Sequence, residues 1–189
     1  MVASITASIE LATMQRDDLT FIPQAKILGR ADEQLTTLIK YLDPTSRKMV
    51  TKNLCPDALF GLEYHTNTGS RFRFFALEAD RATEPLTTSA FSRKSASRSF
   101  AQYQAYVEDG VYKRHLSLTA PLLVLHVTTS AQRCEKLVET LSRQSSGNAY
   151  MLFRDWRAFG APPKIPKPNM SLLNQPWQRA DRRNIQIDL

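Results

Sequence analysis

Apolar positions recur with two different periods along the chain, and these predict its elements. Ile5, Ala7, Ile9 and Leu11 alternate loosely within 5–14, which reads equally as a strand or a short helix. Asp17-Asp18 is a turn, and Leu19 to Ile22 a short strand stopped by Pro23. Leu35, Leu38, Ile39 and Leu42 fall at helical spacing, so a helix is predicted over 31–42, with Asp32 and Glu33 in its first turn and Asp43-Pro44 at its end. Met49, Val50 and Leu54, set between basic residues, give a further strand within 45–54. Apolar residues 58–64, turn chemistry at 65–70 and a second apolar run at 71–78 predict a β-hairpin.

Residues 81–97 are rich in Ser, Thr and Arg and read as a loop entering a helix. That helix, 98–108, carries Phe100, Tyr103, Tyr106 and Val107 on one side and stops at Gly110. A buried strand follows at 121–128. Ser130 caps a helix over 131–143, in which Cys134, Leu137, Val138 and Leu141 repeat at three and four. Residues 149–153 make a last core strand. The tail from 160 holds five of the ten prolines, and wraps the surface with Trp177 as its anchor. The order predicts an α/β fold with a mixed β-sheet flanked by helices, because a helix between the 71–78 and 121–128 strands favours a right-handed parallel crossover. Three segments result: 1–46 packed on the core, the core at 47–155, and a Pro-rich basic extension at 156–189.

The length of 189 residues suits one domain, and 42% hydrophobic with 23% charged residues is ordinary for a globular chain. No apolar run approaches the ~20 residues of a membrane span. No basic region precedes the first apolar residues, so no secretory signal is expected. Cys55 and Cys134 are too few for a disulfide framework and fit a reducing, cytoplasmic setting. The net charge of +7 is uneven. Residues 1–46 hold four basic side chains against six acidic ones, a balance of −2, which leaves +9 for residues 47–189. A basic face attracts a polyanion, DNA first and an anionic membrane surface second.

The candidate chemistry lies at one end of the hairpin. If the chain turns about Asn67-Thr68, opposed residues have numbers summing to 135, and Asp57 lies opposite Glu78. Opposed side chains share a face, and so do Glu78 and Asp80. Three carboxylates would then converge, and they repel unless a proton or cation sits among them. Mg²⁺ or Mn²⁺ is the expected cation, able to activate water for phosphodiester cleavage. The plainer alternative has Asp57 capping a turn, with Glu78 and Asp80 solvated or paired with Arg81.

Pro56-Asp57 followed by Glu78-x-Asp80 resembles the PD-(D/E)XK nuclease pattern, which sits on a hairpin in a restriction-endonuclease-like αβββαβ core. Residues 56–62, 74–84 and 123–130, with Tyr103-Gln104-Ala105-Tyr106, resemble the plasmid replication-relaxation family, to which some mobilisation relaxases are related. The resemblance covers about 50–145 and implies a DNA-processing protein of plasmid replication or transfer, working with other proteins of those systems. It implies Asp57 and Glu78 as metal ligands, with Asp80 as a third ligand or a catalytic base. Asp80 stands where the wider nuclease pattern has Lys. The helix over 99–106 also lacks the Lys common in the family, which leaves Lys94 and Arg98 as the nearest cations to stabilise a transition state. The alternatives are a non-catalytic DNA-binding accessory protein and a protein-interaction module.

Arg93, Lys94 and Arg98 form a candidate phosphate-contacting segment at a helix N-terminus. Lys113 and Arg114 are further candidate DNA contacts. Gln104 is a candidate for orienting a metal-bound water or a phosphate. Tyr103 and Tyr106 share a helix face, as core residues or as a nucleophile. His126 reads as a core histidine rather than a ligand. The tail adds Arg154, Arg157, Lys164, Lys167, Arg179, Arg182 and Arg183, a candidate DNA-tracking strap. Trp156 and Phe159 among them are suited either to stack on bases or to anchor the core.

Overall fold

A computed structural model describes residues 1–90, 93–145, 148–160 and 166–188. Helix α1 (Val2–Thr13) settles the ambiguous first segment: Ile5, Ile9 and Ala12 are buried on one side at helical spacing. Strand β1 (Leu19–Ile22) follows, then α2 (Gln24–Ala31). The helix expected over 31–42 does not form. Asp32 takes a left-handed conformation (φ 52°) and ends α2. Residues Thr37–Leu42 form strand β2, paired antiparallel with β3 (Met49–Leu54) as a separate two-stranded ribbon. Leu38 and Leu42, half of the expected helical stripe, face solvent, while Ile39 and Tyr41 are buried with a period of two.

The main sheet is built on β4 (Ala58–Thr66) and β5 (Gly69–Asp80). They pair in the expected register, Ala58 against Leu77 through Thr66 against Gly69. Gly61 is needed here, since a Cβ would come within 2.9 Å of the Phe74 ring. Helix α3 (Ala96–Glu108) and short helix α4 (Val111–His115) lead to β6 (Leu122–Thr128), parallel to β5. Helix α5 (Ala131–Gln144), capped by the Ser130 hydroxyl accepting from Arg133 N–H, leads to β7 (Met151–Asp155), parallel to β6. The seven-stranded sheet runs β1-β4-β5-β6-β7 and is completed by β8 (Trp177–Arg179) and β9 (Asn184–Ile185), after helix α6 (Ser171–Asn174). The fold is therefore α/β, with a mixed sheet flanked by helices.

Strand alternation divides the core in two. Phe74, Ala76, Val124 and Phe153 face α3, α5 and the ribbon. Phe75, Leu77, Leu125 and Leu152 face the side of α1 and α6. The tail is not a strap laid over the surface. Its strands extend the sheet, Trp177 is fully buried, and the indole N–H donates to Leu172 C=O at 2.9 Å. Ser8 of α1 accepts from Asn169 N–H, which ties the two ends of the chain together. Among the described residues no helix is long and apolar enough to cross a membrane.

Candidate functional site

The carboxyl ends of β5 and β6, the start of α3 and the inner edge of β3 enclose a cavity of about 520 Å³. Strand alternation explains what faces it. Glu78 and Asp80 continue the face of Phe74 and Ala76, and Glu78 lies beside His126 across the β5–β6 pairing. Asp57 N–H donates to Leu77 C=O, so the hairpin register carries one residue past β4 and brings Asp57 to the same cavity as Glu78. The Asp57 carboxylate accepts from Ala79 N–H at 2.7 Å.

Glu78 is the unusual group. Burial pushes its carboxyl up to about 8; the Tyr103 hydroxyl opposes this by hydrogen bonding, and the nearby Asp57 charge reinforces it. Tyr103 is fully buried and donates to Glu78 at 2.5 Å. Burial and the neighbouring Glu78 raise the Tyr103 hydroxyl well above its ordinary value, in keeping with its role as a hydrogen-bond donor to Glu78. Tyr106 is buried too, and its hydroxyl meets His115 Nδ1 at 2.8 Å. His126 is a core histidine: its ring stacks on Phe153, centroids 4.9 Å apart, and burial lowers it to about 3.

Asp80 does not complete a three-carboxylate cluster. Arg133 of α5 holds one of its oxygens at 2.7 Å, and Ala82 N–H donates to the other. Among the described residues no group of three or more His, Cys, Asp or Glu is placed to hold a metal ion. Asp80 lines the same cavity as Asp57 and Glu78, but one of its oxygens is taken by a guanidinium 53 residues away.

Arg98 is not a free cation of the cavity rim. It is only 4% exposed and pairs with fully buried Asp43 at 2.6 Å, while also donating to the carbonyls of Ala90 and Arg93. The pair pins the ribbon end and the loop before α3 to the helix start. Arg93 and Lys94 are exposed on the rim, and the Lys94 charge reaches Glu78. Gln104 points away from the cavity and donates to Glu108 at 3.1 Å. Gln102, two residues earlier, lines the cavity and donates to Asn53 C=O. Sequence reasoning missed Gln102 and the β3 residues Lys52 and Asn53. They come into play only because 37–54 folds as a ribbon over α3.

Lys113 and Arg114 lie elsewhere. Helix α3 runs back from the end of β5 toward the start of β6, so α4 sits about 20 Å from the cavity, the length of a 13-residue helix. Arg114 approaches Asp109 C=O at 3.5 Å. The basic tail residues are mostly engaged within the fold. Arg154 donates to Ser171 and Gln175, Arg157 pairs with Asp155, Arg179 with Asp181, and Arg182 with Glu135. Arg183 lies 3.9 Å from Asp181, Lys167 is exposed, and Lys164 lies outside the described residues. Trp156 is buried with its ring edge-to-face on Phe159, which makes it a core anchor and not a stacking platform. Comparison of the chain with protein-family models, with curated proteins and with solved structures gives no match.

Proposed function

We propose that the chain processes DNA at this cavity, by Mg²⁺- or Mn²⁺-dependent cleavage or nicking of a phosphodiester, in plasmid replication or transfer. The observation that carries the reading is Glu78: a carboxyl raised to about 8 beside Asp57, on a cavity rimmed by Arg81, Arg93 and Lys94. Such a pair favours uptake of a cation, and such a rim favours a polyanion.

The donor set fits a hard divalent ion. Mg²⁺ is commonly held by one or two carboxylates, with water and substrate phosphate filling its other positions. Asp57 and Glu78 would hold it, and Asp80 would not. When bound, the ion supplies a more acidic water and stabilises charge that develops on phosphate oxygens. The chain's own residues do the rest. Tyr103 fixes the Glu78 rotamer, Ala79 N–H orients Asp57, and Lys94 with Arg93 neutralise phosphate at the rim. Arg98 acts only through the loop it holds in place.

The topology supports the finer fold reading. Strands β1, β4 and β5 form an antiparallel meander after α1, and α3 then crosses to parallel β6. This order agrees with the αβββαβ pattern expected of a restriction-endonuclease-like core, with α2 and the ribbon inserted between the first and second strands. The loss of Asp80 and Arg98 to structural ion pairs favours a second reading, a DNA-binding accessory protein without cleavage.

The test is calorimetric titration of Mn²⁺ into wild type and Asp57→Ala, with conversion of supercoiled plasmid to open circles as the activity readout. Metal binding and metal-dependent nicking, both lost in the variant, are expected. Plasmid bound at low salt with neither metal binding nor nicking would overturn cleavage and leave the accessory reading.

A further inference from the structure

We infer that the β2–β3 ribbon is a docking arm that lays its outer face on duplex DNA beside the cavity. This rests on reading the partner as DNA and names the surface that would hold it. The ribbon stands outside the main sheet. Its inner face, with Ile39, Tyr41 and Leu54, is buried against the α3 side of the core. Its outer face is turned to solvent, yet it carries three large apolar side chains: Leu38 is 66% exposed, Met49 56% and Leu42 49%. Leu42 and Met49 are paired across the strands, so two large apolar side chains sit together next to the turn.

Charge selects the occupant. Lys40 on the outer face and Arg47 and Lys48 in the turn are exposed. The single acidic residue between 37 and 54 is Asp43, which is fully buried and paired with Arg98. The solvent-facing charge of the ribbon is therefore positive, and it suits a polyanion.

Shape agrees with charge. Each strand has six residues, about 20 Å of extended chain. Two strands about 4.8 Å apart, with their side chains, fit the ~12 Å major groove, which admits a two-stranded ribbon. Apolar side chains on that face can also contact thymine methyl groups in the major groove. Strand β3 runs on through Cys55 and Pro56 to Asp57, which places the ribbon next to the cavity in the chain.

The experiment is fluorescence anisotropy of a labelled 20-base-pair duplex across a salt series. It compares wild type with the triple variant Lys40→Gln, Arg47→Gln, Lys48→Gln and with the double variant Leu42→Ser, Met49→Ser, each checked for an unchanged melting temperature. The triple variant should bind on the order of tenfold or more weakly at 0.1 M salt, with a salt slope reduced by about 2–3, nearly one for each phosphate no longer neutralised. The double variant should bind more weakly with its slope unchanged. Wild-type affinity and slope in the triple variant would overturn the inference, as would polyglutamate competing as well as duplex, which would mark the face as a site for an acidic protein. The two readings fail separately. Nicking absent from wild type with ribbon-dependent binding intact removes cleavage alone. Nicking intact with ribbon-independent binding removes the arm alone.

Discussion

Two carboxyl groups on the α3 side of the molecule meet opposite fates. Asp43 is fully buried, which by itself would raise it, but N–H groups of Ser46 and Thr45 and the Arg98 guanidinium hold it at about 2. Glu78 is also desolvated, yet only a single Tyr103 hydroxyl and the more distant Lys94 charge oppose this beside another acid, Asp57, and it rises to about 8. The fold supplies a full complement of donors to one carboxyl and withholds it from the other. A compensated buried acid is a structural fastener, while an uncompensated one on a cavity is poised to take up a proton or a cation. Asp80 belongs with the first kind, since Arg133 and Ala82 N–H satisfy it.

The contrast is open to mutation. Asp43→Ala should have the largest effect on stability, about 3–5 kcal/mol by urea unfolding, because it strands the Arg98 charge in the interior. The wild-type contribution of Asp43 is fully present above its unfolded value of 3.8 and should be lost as pH falls through about 2. Glu78 should show the reverse sign. Its contribution is fully present below its unfolded value of 4.5 and should be lost as pH rises through about 8. Glu78→Gln should therefore stabilise the metal-free protein above pH 8, on the order of 2 kcal/mol once solvent screening is allowed for. A variant with unchanged pH dependence would place Glu78 with the compensated acids.

Smaller effects sharpen the assignment. Asp80→Asn should cost about 1–2 kcal/mol through its half-buried bond to Arg133 and leave any nicking intact. Loss of nicking in that variant, with stability preserved, would return Asp80 to the site. Tyr103→Phe should cost about 1 kcal/mol and move Glu78 still higher, since the hydroxyl is the donor that holds it down. A carboxyl titration in the variant that shifted downward would show that Tyr103 plays another part.

The sequence carried much of this where the interactions are local. The β4–β5 register followed from a turn placed at Asn67-Thr68 between two apolar runs, and with it came the meeting of Asp57 and Glu78. The helix expected over 31–42 failed because Leu35, Leu38, Ile39 and Leu42 satisfy a helical period by coincidence, and the partner of this strand begins only at Met49. The roles of Asp80 and Arg98 were hidden for a related reason. Their neutralising partners, Arg133 and Asp43, lie 53 and 55 residues away, and no local pattern announces them. Gln104 and Gln102 differ by two positions on one helix, enough to turn one away from the cavity and the other into it.

The most direct test of the uncompensated Glu78 is a ¹³C carboxyl NMR titration, assigned by difference from Glu78→Gln and run with and without Mg²⁺. A resonance titrating near 8 in the metal-free protein, and driven to its ionised position by Mg²⁺ at neutral pH, is the expected result. A Glu78 carboxyl that titrates near 4.5 and does not respond to Mg²⁺ would contradict the account.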